Sequence, residues 1–375
     1  MSLDPVSVRM LSQHLCSPKF RTPEEVVSHF GAMQAQEYRM MRWAVSMRTV
    51  RPSEKAFRQA YDEGRIIRLH LHRGTWQLVT RDDYWWMLRL CGPRSEAAIR
   101  GWMHSNRIDI PEDELMNIRE LLVAEAGRGG SVTKEDFVRA LAGQGITMDD
   151  HRLSYHIRMA ELSGTLCSGD LHPRKATYSL VRAKIEPEPV LPDRDDALAL
   201  LARKYFRSHS PATLEDFVWW SGLGVADCRR AMALLGGELY SESISGRAFH
   251  IHTDCRTRGF RKGRLVLLPP YDEYLIGYKS RDVVLDPDLS HRAHNRTGLF
   301  FPVILKDGRV CGNWNPTVLG SCPRRRACIH RRLRPPICLC PSLRASRWTV
   351  RRPRWPLMPI WLSWRGILLK GGSRL

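Results

Sequence analysis

An α+β fold of three tandem helix-turn-helix units, each closed by a β-hairpin, is predicted from a repeat and from the order of elements after each of its copies. The pattern Thr-x-Glu-Asp-Phe-Val occupies residues 133–138 and 213–218, and a looser copy, Thr-Pro-Glu-Glu-Val-Val, occupies residues 22–27. After the two closer copies the chain runs through a helix, a glycine turn, a second helix and two strands. This order is the winged-helix arrangement. We expect a C-terminal mixed β region to come next, and then an irregular tail that does not look like a native sequence.

The first unit is expected over residues 1–110. Thr22 is a typical helix N-cap, and acidic residues occupy the first turn after it, where the helix dipole favours negative charge. An alternating run later in the unit is typical of a strand. The predicted elements are helices over residues 3–15, 22–30, 40–47 and 53–63 and a hairpin of strands over residues 66–71 and 75–79.

The second unit is expected over residues 111–185 and the third over residues 186–315, with a proline-containing linker at residues 182–194. The third unit includes the C-terminal β region, which is expected to be incomplete. The predicted elements are helices over residues 133–142 and 149–162 and two strands within residues 165–180, then helices over residues 213–221 and 225–235 and strands over residues 238–243 and 247–253.

Charge is distributed unevenly along the chain. The 375 residues carry 59 Lys+Arg against 39 Asp+Glu, a net +20 that usually indicates a nucleic-acid or anionic partner. Residues 316–375 contribute 13 Arg, one Lys and no acidic residue, so +14 belongs to this tail and +6 to the remaining 315 residues. The net charge is therefore weak evidence about the body of the protein.

The composition of the tail is also unusual. Its 60 residues include four Trp and eight Pro, with Cys dispersed among them. Solvated basic arms are instead rich in Lys, Gly and Ser. We interpret residues 316–375 as a disordered segment produced by a shift of reading frame. The alternative is a genuine basic tail that binds nucleic acid without sequence preference.

Several classes of protein are excluded by composition. The N-terminus lacks the apolar core of a signal peptide, and no uninterrupted apolar run reaches the roughly 18 residues of a membrane span. Ten cysteines without an export signal indicate a reducing compartment, and none forms a Cys-x-x-Cys pair. We expect a cytoplasmic, nucleoid-associated monomer with no membrane contact, no metal and no cofactor.

The predicted recognition helices of the second and third units carry candidate DNA contacts. These are Arg152, His156 and Arg158 in the second unit and Arg229 and Arg230 in the third. Such side chains suit phosphate contact better than reading of base edges. A solvated helix face is the alternative interpretation.

A denser basic cluster lies on the predicted hairpin of the first unit, comprising Arg65, Arg68, His70, His72 and Arg73. Strand alternation places Arg68, His70 and His72 on one face and apolar residues on the other. A sheet with an apolar core face and a basic outer face is suited to binding phosphate. An exposed face without a binding role is the alternative.

Gln34 and Gln36 are separated by one residue at a predicted junction between helices. Neutral amides are poor general bases, but they can position a water molecule or hydrogen-bond to a developing charge. On composition alone, polar residues of a turn are the simpler interpretation.

Four motifs in order resemble the bacterial tandem winged-helix DNA glycosylases of the YcaQ and AlkZ type. The motifs are Gly31-Ala-Met-Gln-Ala-Gln36, Leu71-His-Arg-Gly-Thr75, Phe217-Val-Trp-Trp-Ser-Gly-Leu223 and Leu267-Leu-Pro-Pro-Tyr-Asp-Glu-Tyr-Leu-Ile-Gly-Tyr278. Gln-x-Gln is the motif of the AlkZ-like branch, whereas the YcaQ-like branch has Gln-x-Asp. Two departures stand out: Trp76-Gln77 replaces a Leu-His pair of the family, and the family pattern stops near Asn315.

The resemblance implies a concave DNA-binding body and hydrolysis of the N-glycosidic bond of alkylated purines, including those in interstrand crosslinks. It implies that Gln34 and Gln36 orient the attacking water and stabilise the oxocarbenium-like sugar. A cationic alkylated purine leaves readily, so positioning supplies much of the acceleration. No lysine nucleophile is implied, so we expect a monofunctional glycosylase acting on damaged double-stranded DNA. The alternatives are a noncatalytic winged-helix regulator and an inactive, truncated family member.

Overall fold

Helices and small antiparallel sheets form the described part of the chain, which is residues 3–316 and 325–329 of the computed structural model. This mixture confirms the predicted α+β class. None of the helices in these two ranges is long and apolar enough to cross a membrane. Most of the tail predicted to be irregular and frameshifted, residues 317–324 and 330–375, lies outside the described residues.

The first 110 residues contain the predicted helices and hairpin. Thr22 caps its helix through a reciprocal capping box with Glu25, as the sequence indicated. Strand order in the sheet is β1-β3-β2, with Gln34 opposite Gln77. The elements are α1 (Pro5–Ser12), α2 (Pro23–Phe30), β1 (Met33–Gln34), α3 (Met41–Ser46), α4 (Glu54–Asp62), β2 (Ile66–His70), β3 (Trp76–Thr80) and α5 (Arg81–Ser105).

The middle of the chain repeats the pattern of helix, turn, helix and short strands. Thr133 forms a capping box with Asp136, which again agrees with the sequence prediction. Strand order in this sheet is β4-β6-β5. The elements are α6 (Glu112–Gly129), β4 (Val132–Thr133), α7 (Lys134–Ala142), α8 (Asp150–Leu162), β5 (Leu166–Ser168), β6 (Thr177–Leu180) and α9 (Val181–Lys184).

The last part of the described chain begins with a long helix and ends in a four-stranded sheet. Thr213 forms the third capping box, with Asp216. Strands β7 and β8 form a hairpin, and the larger sheet has the order β12-β11-β10-β9. The elements are α10 (Arg194–His209), α11 (Leu214–Ser221), α12 (Val225–Leu234), β7 (Leu239–Ile244), β8 (Arg247–His252), β9 (Leu265–Leu268), α13 (Glu273–Ile276), α14 (Ser290–Ala293), β10 (Val303–Lys306), β11 (Arg309–Pro316) and β12 (Arg325–Ile329).

Strand β12 is a difference from the sequence prediction. Residues 325–329 pair antiparallel with residues 312–316 of β11, whereas an irregular segment was expected there. Backbone pairing needs no particular side chains, because each residue contributes its own donor and acceptor. The outer edge of β11 is therefore covered.

The hairpin of β2 and β3 is held in the largest apolar core. Ile67 and Val79 of the hairpin are fully buried there, together with Tyr205 of α10 and Phe217 of α11. Burial of such side chains contributes about 1.5–3 kcal/mol each. The first and third predicted units share this core, which fixes the hairpin against α11.

Candidate active site

Gln34 ends strand β1, and its amide is oriented by two neighbours on β3 and the turn before it. Its Oε1 accepts hydrogen bonds from Thr75 Oγ1 at 3.2 Å and from Gln77 Nε2. The side chain is 5% exposed. With the oxygen occupied by two donors, Nε2 is the part of this amide that remains available as a donor.

Gln36 presents the complementary group. Its Oε1 is buried and has no hydrogen-bond partner among the described residues. The intervening backbone is fixed on both sides: Ala35 N donates to Trp76 O at 2.8 Å, and Arg68 Nε donates to Ala35 O at 3.1 Å. The segment therefore offers one amide donor and one amide acceptor on a rigid backbone.

Glu273, 239 residues further along the chain, fixes the backbone of this segment through a hydrogen bond. Its Oε1 accepts from the backbone N–H of Gln34 at 2.5 Å, and its Oε2 accepts from His209 Nε2 and Trp220 Nε1, each at 3.2 Å. The carboxylate is 3% exposed. Sequence reasoning missed this role, although Glu273 lies in the fourth motif and the motif was the available signal.

Buried polar atoms without a hydrogen-bond partner are frequent around the hairpin. Such atoms are rare in folded proteins, because each costs about 1–3 kcal/mol. Their concentration beside the two amides is typical of a surface that binds a polar ligand. On the hairpin and Gln36 these atoms are Gln36 Oε1, His70 Nε2, His72 Nδ1, His72 Nε2, Trp76 Nε1 and Gln77 Oε1, and others, such as Arg9 Nη1 and Ser12 Oγ, lie elsewhere in the described residues.

The basic face of the hairpin is buried, which corrects the expectation that it faces solvent. All five residues of β2 are buried. Arg68 lies over the ring of Trp76 at 4.3 Å, and His70 hydrogen-bonds through Nδ1 to the carboxyl group of Glu161. Burial raises the pKa of Glu161 to about 8 and lowers the pKa of His70 well below its usual value. Arg68 and His70 thus have partners inside the protein, and their contact with DNA stays a prediction.

His72 and Arg73 lie in the turn between the strands. His72 is fully buried, and its ring meets the ring of Trp220 edge to face at 4.5 Å. Burial, followed by the charge of Arg73, lowers the pKa of His72 to about 3, so this ring is neutral at physiological pH. Arg73 is half-buried and donates from Nη1 to Trp219 O at 2.7 Å.

The remaining predicted DNA contacts are dispersed, and most are engaged in ion pairs. Arg65 pairs with Glu24 and Glu63, Arg152 pairs with Glu114, and Arg230 pairs with Asp195. His156 is buried with Nε2 2.9 Å from Glu114 Oε1, and burial lowers its pKa. Arg158 lies over Tyr155 at 5.5 Å. Arg229 is exposed and forms no ion pair with a described residue, so it presents an unpaired charge to solvent.

An exposed basic loop after β8 was missed by the sequence analysis. Gly259 and Gly263 have φ of +97° and +90°, a conformation in which the chain turns sharply. None of the five basic side chains of the loop forms an ion pair with a described residue. The five are Arg256, Arg258, Arg261, Lys262 and Arg264. The dense Arg/Lys spacing was the signal that could have identified this loop.

Comparison with known proteins identifies the family. The model of the AlkZ-like DNA glycosylases matches residues 27–321, which include the Gln-x-Gln segment, the hairpin and Glu273. The chain belongs to the AlkZ-like DNA glycosylase family. It is therefore a DNA repair enzyme that hydrolyses N-glycosyl bonds, as the motifs implied.

A curated relative and a solved structure that resemble this AlkZ-like glycosylase both come from Streptomyces sahachiroi. An interstrand DNA cross-link repair glycosylase is 24% identical over 326 residues, covering 82% of this chain and 85% of the relative. The solved structure of the DNA glycosylase AlkZ has a TM-score of 0.68 at 20% identity, covering 89% of this chain and 92% of that chain. The structural likeness shows a shared fold.

Proposed function

We propose that this AlkZ-like glycosylase removes alkylated purines from double-stranded DNA, and that Gln34 and Gln36 are its catalytic residues. The observation that carries the proposal is the pair of oriented amides. The oxygen of Gln34 is occupied by Thr75 and Gln77, whereas the buried oxygen of Gln36 has no partner among the described residues. One amide is thereby a donor and the other an acceptor.

These two groups suit hydrolysis by a positioned water. Gln36 Oε1 accepts a hydrogen bond from the attacking water, and its dipole favours the positive charge that develops on the sugar. As the C1′–N bond breaks, the cationic base leaves as a neutral base, and the water that bonds to C1′ releases its proton to solvent. Gln34 Nε2 is the donor that holds the water oxygen. An alkylated purine is a cationic leaving group, so the reaction needs orientation more than a strong acid.

Glu273 is better suited to positioning than to proton abstraction. Its two oxygens already accept from Gln34 N, His209 Nε2 and Trp220 Nε1. A carboxylate with three donors has little capacity left for a water proton. We propose direct hydrolysis without a lysine-linked intermediate, so that the enzyme has no lyase activity.

The proposed substrates include purines tied into interstrand crosslinks. The Streptomyces sahachiroi relative is named for interstrand DNA cross-link repair, and the likeness to this chain covers 85% of it.

Three winged-helix units are the proposed framework for DNA binding. The capping boxes at Thr22, Thr133 and Thr213 each begin a helix of one unit. We propose residues 1–110, 111–185 and 186–315 as the three units, acting as a monomer in the nucleoid of the cytoplasm. The exposed loop at residues 256–264 and Arg229 supply unpaired positive charge for DNA phosphates.

Excision from a duplex carrying a single N7-methylguanine tests the proposal. Single-turnover rates are measured by alkaline cleavage at the abasic site. Loss of a preorganised polar group typically costs about 10²–10³ in rate, so Gln34→Ala and Gln36→Ala are each expected to be at least about 100-fold slower. Gln144→Ala, at an exposed glutamine, is the matched control and is expected to retain the wild-type rate.

Two outcomes contradict the proposal in different ways. Wild-type rates in the Gln34→Ala/Gln36→Ala double variant exclude these amides as catalytic residues. Binding of the duplex by the wild type without any abasic sites supports a noncatalytic DNA-binding protein.

A further inference from the structure

Arg73 and Arg281 are two half-buried arginines without a carboxylate partner. No Asp or Glu oxygen of the described residues forms an ion pair with either guanidinium. Arg73 Nη1 donates to Trp219 O at 2.7 Å. Arg281 donates from Nε to Leu275 O at 2.9 Å and from Nη1 to Lys279 O at 3.1 Å. Neutral carbonyl groups orient both cations. The nearest carboxylates, Glu273 for Arg73 and Asp216 for Arg281, act on them only through space, without an ion pair.

Both guanidinium groups lie against the indole ring of Trp219. Their central carbons are 4.9 Å (Arg73) and 5.6 Å (Arg281) from its centroid. Arg281 also lies over Phe300 at 4.9 Å, and Trp219 Nε1 donates to Ile276 O at 2.9 Å. Because these contacts fix the two side chains in advance, a ligand loses less side-chain entropy when it orders them.

The electrostatic environment favours an anion. Burial lowers the pKa of both arginines to about 10, and the charge of Arg73 lowers the pKa of Arg281 further. Both remain protonated at neutral pH. Two unpaired positive charges that repel each other are stabilised when an anion binds between them.

The two arginines adjoin the proposed catalytic amides. Arg73 lies two residues before Thr75, whose hydroxyl donates to Gln34 Oε1. Trp219 precedes Trp220, whose indole N–H donates to Glu273, the residue that binds the backbone N–H of Gln34. An anion at Arg73 and Arg281 therefore lies beside the place where a target nucleotide meets Gln34.

We propose that Arg73 and Arg281 together bind the DNA backbone phosphate next to the target nucleotide once that nucleotide has been extruded from the duplex. Guanidinium groups bind phosphate oxygens through paired hydrogen bonds, and enzymes that act on a base in duplex DNA must hold it outside the stack. This inference rests on the proposed glycosylase function. It adds Arg281, and a specific phosphate, to the DNA contacts expected from the sequence.

Salt-dependent binding tests the inference without requiring catalysis. Two duplexes are compared, one with a single tetrahydrofuran abasic analogue and one undamaged, between about 50 and 200 mM KCl, a range over which phosphate contacts weaken markedly. Arg281→Gln is expected to bind the tetrahydrofuran duplex about tenfold or more weakly, because a charge-assisted hydrogen bond is lost. A plot of the logarithm of the association constant against the logarithm of the salt concentration has a negative slope. The magnitude of this slope is expected to be smaller by about 1 for Arg281→Gln and by about 2 for Arg73→Gln/Arg281→Gln. The same variants are expected to lose less affinity for the undamaged duplex.

The control is Arg292→Gln, which removes an exposed arginine on α14. If Arg292→Gln and Arg281→Gln lose equal affinity for both duplexes, the effect comes from net charge alone and the proposal is overturned. Unchanged binding by Arg281→Gln also overturns it. If Arg281→Gln has a lower melting temperature than the wild type, Arg281→Lys is tested in its place. This variant retains the charge and is expected to keep the salt dependence, but its preference for the tetrahydrofuran duplex is expected to fall. Absence of excision by the wild type would instead contradict the glycosylase function and leave this binding result intact.

Discussion

Glu273 and Gln34 are joined by a hydrogen bond of 2.5 Å between a carboxylate oxygen and a backbone N–H, across 239 residues of sequence. The bond connects strand β1, which carries the proposed catalytic amides, to α13. The same carboxylate also receives the ring N–H groups of His209 and Trp220. One buried side chain thus fixes the position of Gln34 relative to helices α10 and α11.

Replacement of Glu273 is expected to affect both stability and excision. Glu273→Ala leaves three buried donors without an acceptor, and it is expected to lower the free energy of unfolding by about 3–5 kcal/mol. Glu273→Gln retains one acceptor oxygen, so its free energy of unfolding is expected to fall by less. Excision is expected to slow in both variants, because Gln34 is no longer fixed in position. Urea unfolding and single-turnover excision are the measurements. Glu120→Ala, at an exposed position on α6, is the control. A Glu273→Ala variant as stable as this control contradicts the bracing role.

Arg48 and Asp272 form a fully buried ion pair next to Glu273. Arg48 Nη1 and Nη2 lie 2.9 and 2.8 Å from the two carboxylate oxygens. Removing one partner leaves an unpaired buried charge, so Arg48→Met and Asp272→Leu are each expected to cost about 3–5 kcal/mol of unfolding free energy. The double variant leaves no such charge, so its loss of unfolding free energy is expected to be smaller than the sum of the losses in the two single variants. Chemical denaturation of the four proteins measures this coupling, and strict additivity would contradict it.

Local features of the fold were readable from the sequence because their contacts are local. Thr22, Thr133 and Thr213 each bond to a residue three positions later, so the pattern itself contains both partners. The hairpin of β2 and β3 was predicted for the same reason, since strand alternation and a glycine between the strands are visible within 15 residues, although the turn spans residues 72–74 instead of the two residues expected.

The burial of the basic face was not readable, because its partners are distant in sequence. Alternation separated Arg68 and His70 from the two apolar residues at positions 67 and 69, which lie in the largest apolar core, but it does not reveal what covers them. His70 meets Glu161 on α8, 91 residues away, and the backbone N–H of Arg68 donates to Ser168 Oγ on β5, 100 residues away. The role of Glu273 could not be predicted for the same reason. Its motif was visible in the sequence, but its contact with Gln34 depends on how α13 packs against β1.

His72 is expected to make the protein sensitive to acid. Its pKa of about 3 in the folded protein is below the usual 6.5, so the unfolded chain binds a proton that the folded protein does not. The stability contributed by the neutral ring is fully present above pH 6.5 and decreases as the pH falls from 6.5 towards 3, by about 1.4 kcal/mol per pH unit. His72→Phe is expected to abolish this part of the decrease, as measured by urea unfolding between pH 7.5 and 5. His151→Phe, at an exposed histidine, is expected to keep the wild-type slope. An unaltered slope in His72→Phe contradicts the assignment.

Gly222 is expected to control the position of Arg73. It ends α11 with φ of +73°, and a Cβ atom there would lie 3.1 Å from Arg73 Cγ and 3.3 Å from Arg73 N. Gly222→Ala therefore combines backbone strain of about 1–2 kcal/mol with displacement of Arg73. Gly145→Ala is the matched control, because Gly145 has the same φ and a Cβ atom there would have no described neighbour within 4 Å. Both variants are expected to lose similar stability, but only Gly222→Ala is expected to bind the tetrahydrofuran duplex more weakly. Equal binding by the two variants at equal stability would show that the exact placement of Arg73 does not matter for holding the phosphate.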